Sequence, residues 1–274
     1  PFFQTWELHG RYPRILKDEI VGEEASKLFK DAQEMLNHAL KENWLEIEAV
    51  YGIWEAHTIE DDIFIFDEKD ELLAVSHCLR QQTKKSSKAF NMSLSDFIAP
   101  KSSGIKDYIG AFVVTAGKKI DKIAKKFEED LDDYNSIMIK ALADRMAEAA
   151  AEYLHQKVRK EYWGYTEEQF SNEELIKEKY QGIRPAPGYP ACPDHTEKET
   201  IFNLLDATNK VGVELTESLA MYPVSSVSGW YFSNPDSKYF GLGKIKMDQV
   251  EELSARKKVE LSVMKKWLSP SLDD

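Results

Sequence analysis

Four of the chain's ten prolines fall within ten residues, Arg184-Pro-Ala-Pro-Gly-Tyr-Pro-Ala-Cys-Pro193. Proline fixes φ and offers no amide hydrogen, so this stretch can be neither helix interior nor central strand. It reads as a stiff, extended loop. Two capping patterns flank it, Ser171-Asn-Glu-Glu174 and Thr196-Glu-Lys-Glu199, in which a hydroxyl and a glutamate satisfy free amides at a helix start. They predict one helix from Asn172 to Tyr180 and another from Thr196 to about Thr208. A rigid loop held between helices presents carbonyls and side chains at low entropic cost, as a ligand site requires. Arg184 at its entrance offers a planar fork suited to a carboxylate. Gly188 permits close approach of a ligand to backbone, and Tyr189 adds a ring and a hydroxyl. The competing reading is a surface crossover in which Arg184 makes a salt bridge.

The rest of the chain mixes helix and strand without a βαβ rhythm. Leu28, Ala32, Met35, Leu36, Ala39 and Leu40 recur at three- and four-residue spacing and predict an amphipathic helix over Glu23 to Asn43. Glu48 to Ala56 is β-branched and aromatic. Asp62 to Asp67 and Glu71 to Ser76, separated by a charged turn, read as a hairpin. Asp107 to Thr115 reads as a buried strand, and Lys84 to Lys88 as a basic loop. Lys118 to Trp163 is helical, with Asp132-Asp133 separating two helices. Asn234-Pro-Asp-Ser237 is a turn between aromatic runs. Met247 to Lys257 and Leu261 to Leu268 are terminal helices. The expected fold is α+β, one domain over 1–274 with a bent antiparallel sheet flanked by helices.

Composition narrows the function. With 274 residues the chain can bury roughly three quarters of its extended surface, so the core needs no staples. The net charge of −12 opposes phosphate backbones and anionic lipid, so neither nucleic acid nor a membrane surface is an expected partner. The longest apolar run, Ile109 to Ala116, falls far short of the roughly 20 residues of a membrane span. Cys78 and Cys192, the two cysteines, exclude a disulfide framework and suit a reducing cytoplasm. No secretory signal opens the chain. Its start at Pro1-Phe2-Phe3 rather than Met reads as an excised piece of a larger multidomain protein.

The segment RPAPGYPACPDHTEK, Arg184 to Lys198, closely resembles the signature of the C-terminal activation domain of cobalamin-dependent methionine synthase. So do PFFQTWELHGRYPRIL at the start, LRQQT at Leu79 to Thr83, DYIGAFVVT at Asp107 to Thr115, and SVSGWYFSNPDSKY at Ser226 to Tyr239. The resemblance covers essentially the whole chain in order. It implies a module that binds S-adenosylmethionine and donates its methyl group to cobalamin held by a neighbouring module, after flavodoxin or a related flavoprotein reductase has reduced the cobalt. The Arg-x-x-x-Gly-Tyr-Pro motif maps onto Arg184, Ala186, Gly188, Tyr189 and Pro190, and an aromatic pair after the turn maps onto Tyr239 and Phe240. The matching glutamates are Glu148 and Glu178. Arg184 could pair with the ligand's carboxylate, the glutamates could receive its ammonium or ribose hydroxyls, and Tyr189 or Tyr239 could face a sulfonium or a purine. The resemblance also places a ligand-contacting aspartate just upstream of Pro1, a contact the chain is expected to lack. No catalytic acid or base is implied, since binding and aiming the donor suffice.

Other constellations carry less. Cys192 and His195 lack the second ligand pair that zinc requires, so no metal is expected. Ser225, Ser226 and Ser228 lack a nucleophile elbow, and Gly241-Leu-Gly243 is too short for a phosphate loop. His77-Cys78 reads as a packed strand end. Lys118, Lys119, Lys122, Lys125 and Lys126 form a solvated face or a contact for an acidic flavoprotein. Asp144-Arg145 could be an intrachain pair or a contact to the corrin module. The rival function is a docking module for the reductase and the cobalamin domain with an incomplete small-molecule pocket.

Overall fold

The computed structural model describes residues 2–86 and 89–273. Its centre is a five-stranded antiparallel sheet in the order β3-β2-β1-β4-β7. The strands are β1 (Glu48–Ile59), β2 (Asp62–Phe66), β3 (Leu72–His77), β4 (Asp107–Thr115) and β7 (Ser226–Tyr231). Two short strands, β5 (Glu214–Leu215) and β6 (Met221–Tyr222), pair separately. β1 serves two neighbours. Its Glu48 to Ala56 stretch pairs with β4, and from Glu55 onward it pairs with β2.

Alternation along β4 divides the core. Ile109, Ala111 and Val113 point to one face, where Ile63, Ile65, Trp230 and Phe232 meet Ile201, Phe202 and Leu205. Those last three belong to α5 (Glu197–Leu205), which α6 (Ala207–Val211) follows. Phe112 and Val114 point to the other face, against Ala151, Val158 and Tyr231. That face is covered by α3 (Asp133–Lys157), whose last turn widens into a π-helical segment, Val158–Tyr162. α1 (Gly22–Lys41) packs on the N-terminal turns and on Met138 and Leu142 of α3, and α2 (Ile120–Glu129) also lies along α3. At the far end, α7 (Met247–Lys257) and α8 (Leu261–Leu268) enclose a cluster around Leu242, Ile245, Leu253 and Met264.

The α+β class, the antiparallel sheet and both terminal helices match the sequence reading. Two helices depart from it. α4 (Asn172–Ile176) stops short of Tyr180, although Ser171 and Glu174 form the expected capping box. It buries no side chain, so no apolar face offsets the entropy of continuing, and Glu178 turns left-handed at φ 49°. At α5 the expected box does not form. Thr196 turns its hydroxyl to Asp194 instead, at 2.8 Å. Left-handed Asp206 then ends α5, so helix does not run unbroken to Thr208. Residues 84–86 of the basic loop form no helix or strand, and its last two residues lie outside the described ones.

Candidate functional site

The proline segment is fastened along the outer edge of β7. Ile183 and Phe232 exchange both backbone hydrogen bonds at 3.0 Å, and the Trp230 amide donates to the Pro185 carbonyl at 2.9 Å. Proline is tolerated here because an edge position asks only for its carbonyl. Beyond the edge the chain folds back on itself. The Gly188 amide donates to the Cys192 carbonyl at 2.7 Å, the Cys192 amide to Tyr189 at 2.9 Å, and the Leu242 amide to Pro190 at 2.9 Å. The turn needs glycine at 188, where φ is 94°.

A cavity of about 800 Å³ opens over this loop. Arg184, Ala186, Gly188, Tyr189, Tyr239, Phe240, Glu148 and Glu178 all line it, together with His195, Lys198 and part of β7. Three distant segments therefore converge: α3 brings Glu148, the turn after α4 brings Glu178, and the stretch after the Asn234 turn brings Tyr239 and Phe240. Glu148, Glu178, Tyr189 and Tyr239 are solvent-exposed. The Tyr239 hydroxyl accepts the Arg184 amide at 3.0 Å, tying the two halves of the rim together.

The guanidinium of Arg184 is held from behind. Its Nη2 lies 2.7 Å from Glu152 Oε2, its Nη1 donates to the Tyr180 hydroxyl at 2.7 Å, and Nη1 also lies 3.3 Å from His155 Nδ1. Burial alone would lower the Arg184 pKa, but Tyr180 and Glu152 hold it above the ordinary value. Burial, then Arg159 and Arg184, push the His155 pKa well below the usual range. His155 is therefore neutral, accepts at Nδ1 and carries its proton on Nε2. The salt-bridge reading of Arg184 thus holds, and Arg184 also faces the cavity.

The family model for the vitamin B12 dependent methionine synthase activation domain matches residues 1–258. The chain belongs to that family. A similar solved structure is the crystal structure of the MetH reactivation domain bound to AdoHcy. It is 56% identical, the match covers 100% of this chain and 85% of that one, and the TM-score is 0.96.

The activation domain carries functional-looking groups that reading by motif passed over. Glu152, His155 and Arg159 follow Glu148 along α3 and its π-helical end at spacings of four, three and four, a polar stripe beside the core-facing Ala147 and Ala151. That spacing was the available signal. Also in the cavity lining, Lys198 Nζ donates to the Leu219 carbonyl at 2.8 Å and sits 3.2 Å from His195 Nδ1. Burial and then Lys198 lower the His195 pKa, so the ring is neutral with its proton on Nε2. Asp194 is engaged by α7. It receives Lys257 at 2.8 Å, as Glu197 does at 2.6 Å. Burial pushes the Cys192 and Cys78 thiols up, which favours their protonated form. Elsewhere, Arg145 pairs with Asp144, Lys118 with Glu48 and Lys119 with Glu46.

Proposed function

We propose that the cavity binds S-adenosylmethionine and presents its methyl group to reduced cobalamin of a neighbouring module, reactivating an oxidised methionine synthase. The observation that carries this reading is the convergence of all eight candidate residues on one cavity, in a chain 56% identical to a reactivation domain bound to AdoHcy. AdoHcy is the same molecule without the transferred methyl and its sulfonium charge. Two exposed glutamates and four aromatic rings around the cavity are compatible with that added positive charge. Arg184 is assigned to the ligand carboxylate, and Glu148 and Glu178 to its ammonium or ribose hydroxyls.

On this reading cobalamin supplies the cobalt nucleophile, and an electron from flavodoxin or a related flavoprotein reductase brings it to the reactive state. This chain's part is to bind the donor, fix its orientation and expose the methyl, so its contribution is proximity rather than acid–base chemistry. The isolated chain is expected to bind ligand without turnover.

Calorimetric titration with S-adenosylmethionine tests the reading. Saturable one-site binding is expected, weakened roughly 10- to 150-fold by Arg184→Ala through loss of a charge-assisted pair. Glu148→Gln, at an exposed position, should weaken it without disturbing the fold. A folded chain that gives no saturable heat at millimolar ligand would overturn the assignment and favour a docking module.

A further inference from the structure

We infer that Glu152 is a movable latch on Arg184, and that Arg159 is the positioning residue that receives Glu152 when a ligand carboxylate takes the Arg184 fork. The inference rests on reading the cavity as an S-adenosylmethionine site. It assigns work to residues behind the cavity wall.

Glu152 lies between two guanidinium groups. Its Oε2 is 2.7 Å from Arg184 Nη2, and its Oε1 is 3.9 Å from Arg159 Nη1. Both Oε1 and Nη1 are buried, and neither has a hydrogen-bond partner among the described residues. They face each other across a gap about 1 Å too long for a hydrogen bond. Arg159 is only 2% exposed, and its guanidinium lies 3.7 Å over the Tyr180 ring. The same Tyr180 donates to Glu152 Oε2 at 3.3 Å and accepts from Arg184 at 2.7 Å, so one ring touches all three charged groups. Arg159 also sits in the π-helical turn, a distortion that proteins often keep at functional positions.

Charge counting gives the latch its direction. The chamber holds two guanidinium groups and one carboxylate. His155 adds no charge, because burial first and the two arginines next keep it neutral. Burial likewise raises the phenols of Tyr165, Tyr180, Tyr231 and Tyr239, which stay protonated. One positive charge is therefore left without a direct anion, a costly arrangement in a buried place. A ligand carboxylate arriving at Arg184 makes two anions for two cations. Glu152 then needs to move only about 1 Å to give each arginine its own carboxylate in a charge-assisted pair. Without Arg159, the ligand and Glu152 would compete for one fork.

Two probes separate this role from general damage to the site. S-adenosylhomocysteine carries the amino-acid carboxylate, and 5′-methylthioadenosine has the same adenosyl thioether without it. Arg159→Met should weaken S-adenosylhomocysteine by about ten-fold or more and leave methylthioadenosine within about two-fold. Arg159→Lys, which keeps the charge, should recover most of the loss. Glu152→Gln should tighten S-adenosylhomocysteine relative to methylthioadenosine, and it decides the matter even where Arg159→Met does not fold. In a crystal structure with S-adenosylhomocysteine bound, Glu152 Oε1 should lie within about 3.2 Å of Arg159 Nη1. Equal losses for both probes, weakening by Glu152→Gln, or Glu152 still on Arg184 in the bound structure would overturn the latch alone. Failure of the unsubstituted chain to bind either probe would overturn the cavity reading as well.

Discussion

The imidazole of His195 rests on Gly188 so closely that a Cβ at position 188 would fall 2.4 Å from its Cε1 and 2.8 Å from its Nδ1. The turn of the proline loop and the wall that carries His195 are therefore one packed unit. Gly188→Ala meets two obstacles, this contact and a backbone φ of 94°. Its expected cost is about 1–3 kcal/mol of stability, with His195 displaced and ligand affinity reduced. Urea denaturation beside calorimetric titration checks both effects. An alanine variant with an unchanged midpoint and unchanged affinity would show that the ring and loop are not coupled.

Lys257 fixes that wall to α7. Its ammonium reaches the Glu197 and Asp194 carboxylates, which are nearly inaccessible to solvent. Glu197 in turn accepts from the Ser76 hydroxyl at 2.7 Å and the His77 amide at 3.3 Å on β3. Removing the cation strands two buried anions, and breaking a pair of this kind typically costs about 3–5 kcal/mol. Lys257→Met should therefore destabilise more than Glu197→Gln, which leaves Asp194 as a partner. Guanidinium denaturation orders the two, and a loss below about 1 kcal/mol for Lys257→Met would contradict the assignment.

His155 makes stability depend on pH. Its folded pKa is held well below 6.5, by burial and then by Arg159 and Arg184. Below about pH 6.5 the unfolded chain takes up a proton that the folded chain refuses, so stability falls as pH drops through this window. The slope from this one group approaches about 1.4 kcal/mol per pH unit. His57 and His195 are also lowered, by burial first, and act with the same sign. The decisive comparison is hence with His155→Gln, which keeps an acceptor for Arg184 and should flatten the profile between about pH 6.5 and 5. A parallel profile would mean that His155 titrates normally.

β1 to β4 and the terminal helices were legible because their patterns are local, whereas β5, β6 and β7 were not read as strands. Seven of the nine residues of β4, Ile109 to Thr115, form one buried run, and Met247–Lys257 and Leu261–Leu268 were read with the boundaries the structure shows. In the cavity lining, Arg184, Gly188 and Tyr189 were legible from the proline loop itself, whereas Glu148, Glu178, Tyr239 and Phe240 entered only through the resemblance, since nothing in their spacing brings these segments together. What escaped was the layer behind it. Glu152, His155 and Arg159 look like an ordinary polar helix face until β7 and Tyr180 close over them, and only tertiary packing makes that face buried. The capping pattern at Thr196 misled for a related reason. Asp194, two residues upstream, competes for the threonine hydroxyl and wins at 2.8 Å.

Tyr239 offers the cavity two separable parts. Its hydroxyl accepts the Arg184 amide at 3.0 Å, while its ring, 44% exposed, lines the cavity beside Phe240. Tyr239→Phe removes the acceptor alone and should cost about 1 kcal/mol of stability, the usual net worth of one hydrogen bond. Tyr239→Ala removes the aromatic face as well. On the S-adenosylmethionine reading the phenylalanine variant keeps most of the ligand affinity and the alanine variant loses substantially more, because stacking and cation–π attraction belong to the ring. Thermal melts and titrations of the two variants side by side resolve the parts. Equal affinity in both would remove the ring from the ligand contacts. A loss in Tyr239→Phe as large as in Tyr239→Ala would instead place the whole effect in the hydroxyl and its hold on the Arg184 backbone.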